Sequence, residues 1–242
     1  MIRKNLTKIR ESIKTIAQNC KRNPEHIKVV AVSKRFPVAA IEEALDGGQL
    51  IFGENYIQEA AEKRSLLKDR IYLHFIGNLQ SNKAKLAVDT CDMIETVDRL
   101  KIVTAINKRL EQKDRVIDIL VQVNVGLDTN KSGIHPDETE ALLTRIQQFP
   151  RLRVRGLMTM PPFTADPEMA RPFFNRLKLL SEEMKTKGLL GTDSDIELSM
   201  GMSHDYHIAI EEGATLIRIG TAIFGQRQPL SANRNISWKN NS

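Results

Sequence analysis

The chain is poor in the residues that announce most kinds of special chemistry. It holds two cysteines, Cys20 and Cys91, far apart and in no CxxC pair. That excludes a thiolate zinc site, argues against a disulfide framework, and fits a reducing compartment, so a cytoplasmic location is expected. Aromatic residues make up only 5%, too few for the stacking platforms of single-stranded nucleic-acid binders. No apolar run approaches the roughly 20 residues a membrane span needs. The opening "MIRKNLTKIRESIKTI" is interrupted by charge every few positions and does not read as a secretory leader. Nor does a glycine-rich phosphate loop follow the first strand-like run, which counts against a doubly wound open sheet. The net charge of +6 comes from scattered basic residues, as in "NKRLEQKDR" and "RPFFNRLK". Scattered charge reads as solvated helix faces rather than a nucleic-acid surface. No nucleic-acid or membrane partner is expected.

What is present is ordinary globular material: 41% apolar and 27% charged residues over 242 positions, enough for a core without staples. Ile2, Leu6, Ile9, Ile13, Ile16, Ala17 and Cys20 recur at steps of three and four, the signature of an amphipathic helix. From there the chain alternates. Strand-like runs are expected at 27–32, 50–52, 72–76, 93–97, 116–125, 153–158, 196–200 and 215–220. Helical patterns lie between them near 37–47, 55–69, 79–88, 98–111, 136–149, 167–187 and 204–212. Eight strands alternating with helices imply a parallel sheet covered on both faces, and the count is that of a TIM (β/α)8 barrel with one extra N-terminal helix. One barrel domain is expected over 1–225. The polar stretch 226–242 reads as a frayed tail.

In such a barrel, chemistry gathers at the C-terminal ends of the strands. Those ends carry Ser33-Lys34, Glu54-Asn55, Gly77-Asn78, Asn124 with Lys131 beyond it, Met158-Thr159, "LSMGMSHD" and "RIGTAIFG". Ser199, Gly201 and Ser203 precede one helix, and Gly220 and Thr221 open another turn. Singly, such residues are caps and turns. Together, on the last two strands, they favour a phosphate cradle. Lys34, at the end of strand one, closes the barrel next to them. A lysine in a partly dry pocket is a nucleophile toward carbonyl compounds; snorkelling to solvent or pairing with Glu54 is the alternative. Arg218 stands where "TLIRIG" should be apolar. It needs a partner, either a structural counter-charge or a ligand over the pocket floor.

The runs "VAVSKRFPVAAIEEAL", "FGENYIQEA", "LHFIGNLQSNKAK", "VQVNVGLDTNKSGI", "RGLMTM" and "LSMGMSHDYHIAIEEGATLIRIGTAIFG" together resemble the pyridoxal phosphate homeostasis protein family, which is alanine racemase N-terminal-domain-like. The likeness spans Val29 to Gly225. It implies a fold-type III barrel for pyridoxal 5'-phosphate (PLP). Lys34 would hold the cofactor as a Schiff base. Ser199, Met200, Gly201, Ser203, Gly220 and Thr221 would hold its phosphate. Arg218 would face the pyridine nitrogen, Asn55 would line the ring, and Ser81 would approach from the third loop. An arginine at that nitrogen accepts no proton, so the ring is a weak electron sink. Fold-type III enzymes carry a second domain that this chain does not show after its eighth strand. A racemase needs a proton donor on each face of its intermediate, and Tyr56, Tyr72 and Tyr206 are the only tyrosines. The expectation is therefore a monomer that holds and releases PLP without a catalytic cycle, handing it to apo PLP-dependent enzymes. A PLP-dependent racemase, a Schiff-base aldolase on a sugar phosphate with Glu54 or His74 as base, and a basic interaction module are the alternatives. Lys131 reads as a solvated loop lysine, with a weaker PLP contact as the alternative.

Overall fold

In the computed structural model, which describes residues 1–191 and 196–226, the first helix is α1, Ile2–Asn19, and its buried face is Ile2, Leu6, Ile9, Ile13 and Ala17. The three-and-four spacing of those residues makes one apolar stripe, which buries against the rest of the chain. Eight parallel strands follow: β1 (Lys28–Val32), β2 (Ile51–Glu54), β3 (Tyr72–Phe75), β4 (Met93–Val97), β5 (Ile117–Gln122), β6 (Leu152–Met158), β7 (Glu197–Met202) and β8 (Leu216–Ile219). Helices α2 (Val38–Asp46), α3 (Ile57–Leu67), α4 (Ala84–Thr90), α5 (Leu100–Glu111), α6 (Thr139–Ile146), α7 (Arg171–Thr186) and α8 (Tyr206–Glu211) connect them in turn, and α9 (Thr221–Phe224) follows β8.

The strands pair in sequence order and close, β8 lying beside β1 with Ala31 opposite Ile219. The expected barrel with its extra N-terminal helix is the fold. β4 and β8 are buried at every position, as strands covered on both faces must be. The main core lies between strands and helices. A second, small cluster of Val30, Met93, Leu120, Met158 and Leu216, drawn from five strands, fills the barrel interior.

The sequence reading errs at element ends. Strand five stops at Gln122 rather than reaching Val125, because Val123 turns away to bridge Ile134. The patterns near 79 and 167 start as single tight turns, Ser81–Lys83 and Pro167–Ala170, before α4 and α7 begin. β7 runs on through Gly201 to Met202, so part of the expected loop is strand. The stretch read as a frayed tail falls outside the described residues from 227 onward.

Candidate functional site

β1 ends at Val32, and Ser33, Lys34 and Arg35 turn the chain toward α2. Ser33 is fully buried and Lys34 half-buried. Ser33 N–H still donates to Gly53 carbonyl oxygen at 3.1 Å, which extends the β1–β2 pairing one residue beyond the strand. Arg35 adopts φ +65°, a left-handed conformation that costs a side-chain-bearing residue energy. Lys34 is thus the middle residue of a sharp corner at the C-terminal rim of the barrel.

Across the closing seam, Gly220 lies against this corner. A Cβ placed on Gly220 would sit 3.5 Å from the Val32 carbonyl oxygen, two residues before the lysine. Gly220 N–H donates to Ser203 Oγ at 3.3 Å. That bond joins the loop after β7 to the loop after β8, so the two small-residue stretches form one continuous wall. Met202 N–H donates to buried Asp205 Oδ1 at 2.6 Å, which tightens the corner before α8. Gly201 permits the corner. Its φ is +89°, and a Cβ there would come within 2.5 Å of Ala209 Cβ.

Ser199 does not face this wall. Its hydroxyl is buried inside the barrel, donating to Glu95 Oε2 at 2.5 Å and accepting from Arg218 Nη1 at 2.7 Å. The alternation of a strand explains this: Ser199, at mid-strand in β7, points inward, and only residues beyond the strand end reach the rim. Met200, its neighbour, is fully buried in the main core.

Arg218 and Ser199 belong to a buried polar layer. Arg218 Nη2 donates to Thr159 carbonyl oxygen at 2.8 Å, and His74 Nδ1 meets Glu95 Oε1 at 2.6 Å. Five strands or strand ends contribute: β3, β4, β6, β7 and β8. Burial alone would raise the Glu95 carboxyl. The hydrogen bond and charge of His74, with Arg218 and Ser199, outweigh it and hold Glu95 below the usual carboxylate range. Burial draws the Arg218 guanidinium below its ordinary value, against the pull of Glu95 and Asp205. The arginine therefore keeps a counter-charge one hydroxyl away inside the barrel and reaches across to the end of β6 at Thr159.

On the β2 side, Asn55 follows the strand, and its backbone is so close to Gly77 that a Cβ there would overlap the Asn55 carbonyl oxygen. Asn55 Oδ1 is buried and has no hydrogen-bond partner among the described residues. Glu54 Oε2 is in the same condition. Glu54 Oε1 accepts from Ser33 Oγ and from Lys63 Nζ, each at 2.6 Å. Burial pushes the Glu54 carboxyl up to about 7, although Lys63 opposes it.

Two further positions from the sequence are on the loops after β3 and β5. Ser81 lines an open groove with Gln80, Asn82, Arg99 and Lys101. Among the described residues no hydrogen bond ties it to the loops after β7 or β8. Lys131 is half-buried, not solvated; its ammonium donates to Pro161 carbonyl oxygen at 2.5 Å and straps the loop after β5 to the loop after β6. No group of His, Cys, Asp or Glu among the described residues could hold a metal ion. No helix among them is long and apolar enough to cross a membrane. Sequence reasoning missed Glu95, Glu59 and Lys63. Glu95 in "MIETV" did carry a signal, a charge in the middle of an apolar strand. Glu59 and Lys63 look like an ordinary surface pair at helical spacing.

Comparison with known proteins places this geometry. The model of the family described as alanine racemase, N-terminal domain, matches residues 5–228. Relatives named pyridoxal phosphate homeostasis protein include one from Aquifex aeolicus, 38% identical over 92% of this chain and 97% of its own. Another, from Escherichia coli K12, is 40% identical over 92% of this chain and 95% of its own. PipY of Synechococcus elongatus, in a structure with PLP bound, superposes with a TM-score of 0.81 at 33% identity, covering 93% of this chain and all of that one. An alanine racemase from Clostridium difficile, 15% identical, shares the fold with a TM-score of 0.76 over 96% of this chain and 57% of its own.

Proposed function

The chain belongs to the alanine racemase N-terminal-domain family and, within it, to the pyridoxal phosphate homeostasis proteins, and on that premise we propose that it binds and releases PLP through Lys34 without running a catalytic cycle. The observation that carries this reading is the seam: the Ser203–Gly220 wall abuts the strand end that carries the lysine.

The residues present suit the cofactor. Asn55 Oδ1 is a buried acceptor with no donor among the described residues, and a bound ligand hydroxyl or ring group would satisfy such an atom. Gly201, at a positive φ, lets the chain turn tightly against Ala209, and Gly220 lets the loop after β8 lie against Val32, so that both small-residue stretches sit beside the Lys34 corner. When bound, PLP supplies an aldehyde that condenses reversibly with an amine. Lys34 would be the amine that this aldehyde meets. Gly201, Ser203, Gly220 and Thr221, with the backbone around Met200, hold the phosphate. Arg218 presents a cation to the ring; its N–H groups donate hydrogen bonds and it accepts no proton there. Ser199 is reassigned from the phosphate to Arg218, whose guanidinium it holds against Glu95. Ser81 lies outside this pocket in our reading.

Turnover would need a second group to move a proton on the face opposite Lys34. Tyr206 Oη pairs with Ser12 Oγ at 2.9 Å on the outer helix layer. Tyr72 begins β3, at the opposite end of the barrel, and is 51% exposed. Tyr56 stands at the rim with its hydroxyl bonded to the exposed Arg35 guanidinium. Glu54, whose carboxyl titrates near neutrality, is bonded to Ser33 and Lys63 at the turn. We place the protein in the cytosol, acting as a store that transfers PLP to apo-enzymes.

Addition of PLP to the purified protein should give an absorbance band near the visible edge and, after borohydride, a mass gain of one reduced cofactor. Both should vanish in Lys34→Ala protein; a band and mass gain retained there would overturn the attachment. Exchange of the alanine α-proton into heavy water at enzyme-like rates would overturn the claim of no turnover.

A further inference from the structure

Lys34 is flanked by two residues whose backbones are held by the same buried charged cluster. Lys63 of α3 is 5% exposed, and its ammonium donates to Ser33 carbonyl oxygen at 2.7 Å, Glu54 Oε1 at 2.6 Å and Glu59 Oε1 at 2.7 Å. Glu59 Oε1 also accepts the Arg35 N–H at 2.6 Å. Ser33 Oγ donates to Glu54 Oε1. So the residue before Lys34 is gripped at its carbonyl and its hydroxyl, and the residue after it at its amide.

A buried ammonium with two carboxylates is a poor source of stability, because desolvating three charges offsets their attraction. What such a cluster does supply is fixed geometry. Geometry is what this corner needs, since Arg35 is held at φ +65° although it is not glycine, and a relaxed chain would leave that conformation. Glu59 is placed to prevent this, since its oxygen accepts the amide of the strained residue itself.

We propose that Glu59, locked by Lys63, is a positioning residue that holds the Ser33–Lys34–Arg35 corner in the conformation presenting the lysine to the cofactor aldehyde. The proposal rests on the reading of Lys34 as the attachment point, and assigns Glu59 no contact with the cofactor.

The test compares two ligands that share ring and phosphate. PLP has the aldehyde; pyridoxine 5'-phosphate has an alcohol in its place and forms no covalent bond. Glu59→Ala should weaken apparent PLP binding roughly tenfold or more and slow the growth of the absorbance band, the scale of one lost charge-assisted hydrogen bond. Affinity for pyridoxine 5'-phosphate should change by less than about twofold, the phosphate wall being untouched. Glu59→Gln keeps an accepting oxygen at the same reach and should restore most PLP binding. If Glu59→Ala does not fold, Glu59→Asp takes its place, since it keeps the charge but withdraws the oxygen from the Arg35 amide. Parallel weakening of both ligands, or unchanged PLP binding, would overturn the positioning role. Wild-type preference for the aldehyde that persists in Lys34→Ala would overturn the attachment and this proposal together.

Discussion

Arg218 shows what a single residue in a sequence can and cannot say. A guanidinium inside "TLIRIG" had to be paired, and that much was legible. Its partners were not, because Ser199, Thr159 and Glu95 lie on other strands, and only closure of the barrel brings them within reach. The inward bonding of the Ser199 hydroxyl to Glu95 and Arg218 was hidden for a related reason. A strand that runs on through Met202 turns alternate side chains inward, and one residue of register separates a rim serine from an interior one. Glu59 and Lys63 were passed over because i,i+4 acid–base pairs on helices are usually solvated; only burial distinguishes them. The interior layer yields a prediction. Glu95→Gln leaves buried Arg218 without its counter-charge, so it should cost about 3–5 kcal/mol of unfolding free energy, measured by urea denaturation. Asp114→Asn, which breaks the exposed Arg151–Asp114 pair, should leave the midpoint almost unchanged.

At the scale of elements, the periodicity of α1 was readable and so was its burial, but not what it covers. Its Asn5 Nδ2 donates to the Ile223 carbonyl oxygen of α9, and Ser12 pairs with Tyr206 of α8. The extra helix thus braces both short helices that follow the proposed phosphate wall. Arg22, just past α1, donates to the carbonyls of Ile210, Gly213 and Ala214 behind α8. The strand-to-helix corner at Gly201 depends on that packing from the other side. Gly201→Ala brings a methyl group against Ala209 at a positive φ, and two causes of strain add. We expect about 2–4 kcal/mol of destabilisation and weaker binding of inorganic phosphate. Gly191→Ala, with nothing among the described residues within 4 Å of the new carbon, serves as the control and should alter neither. Isothermal titration with phosphate and a thermal melt of the two proteins decide it.

At the scale of the whole molecule, βα alternation counted eight times was enough to predict a closed barrel, because eight parallel strands with helices on the outside have few other ways to bury both faces. Closure is what sets Gly220 beside the corner bearing Lys34, across nearly the full length of the described chain. What composition could not reveal is the proton balance of folding. Glu54 has a carboxyl raised to about 7 in the folded chain from an ordinary value of 4.5. Between those values the folded state holds a proton that the unfolded state has released. By linkage, stability then falls as pH rises. The Glu54 contribution is fully present below about pH 4.5 and is lost through pH 7, on the order of 3 kcal/mol at most. Glu54→Gln carries no such proton, while its other titrating groups are those of the parent. The difference between parent and variant unfolding free energies, followed by guanidinium denaturation from pH 5 to 8, should therefore shrink as pH rises and flatten above 7. A difference independent of pH would mean that Glu54 is ionised throughout, its burial fully compensated by Lys63.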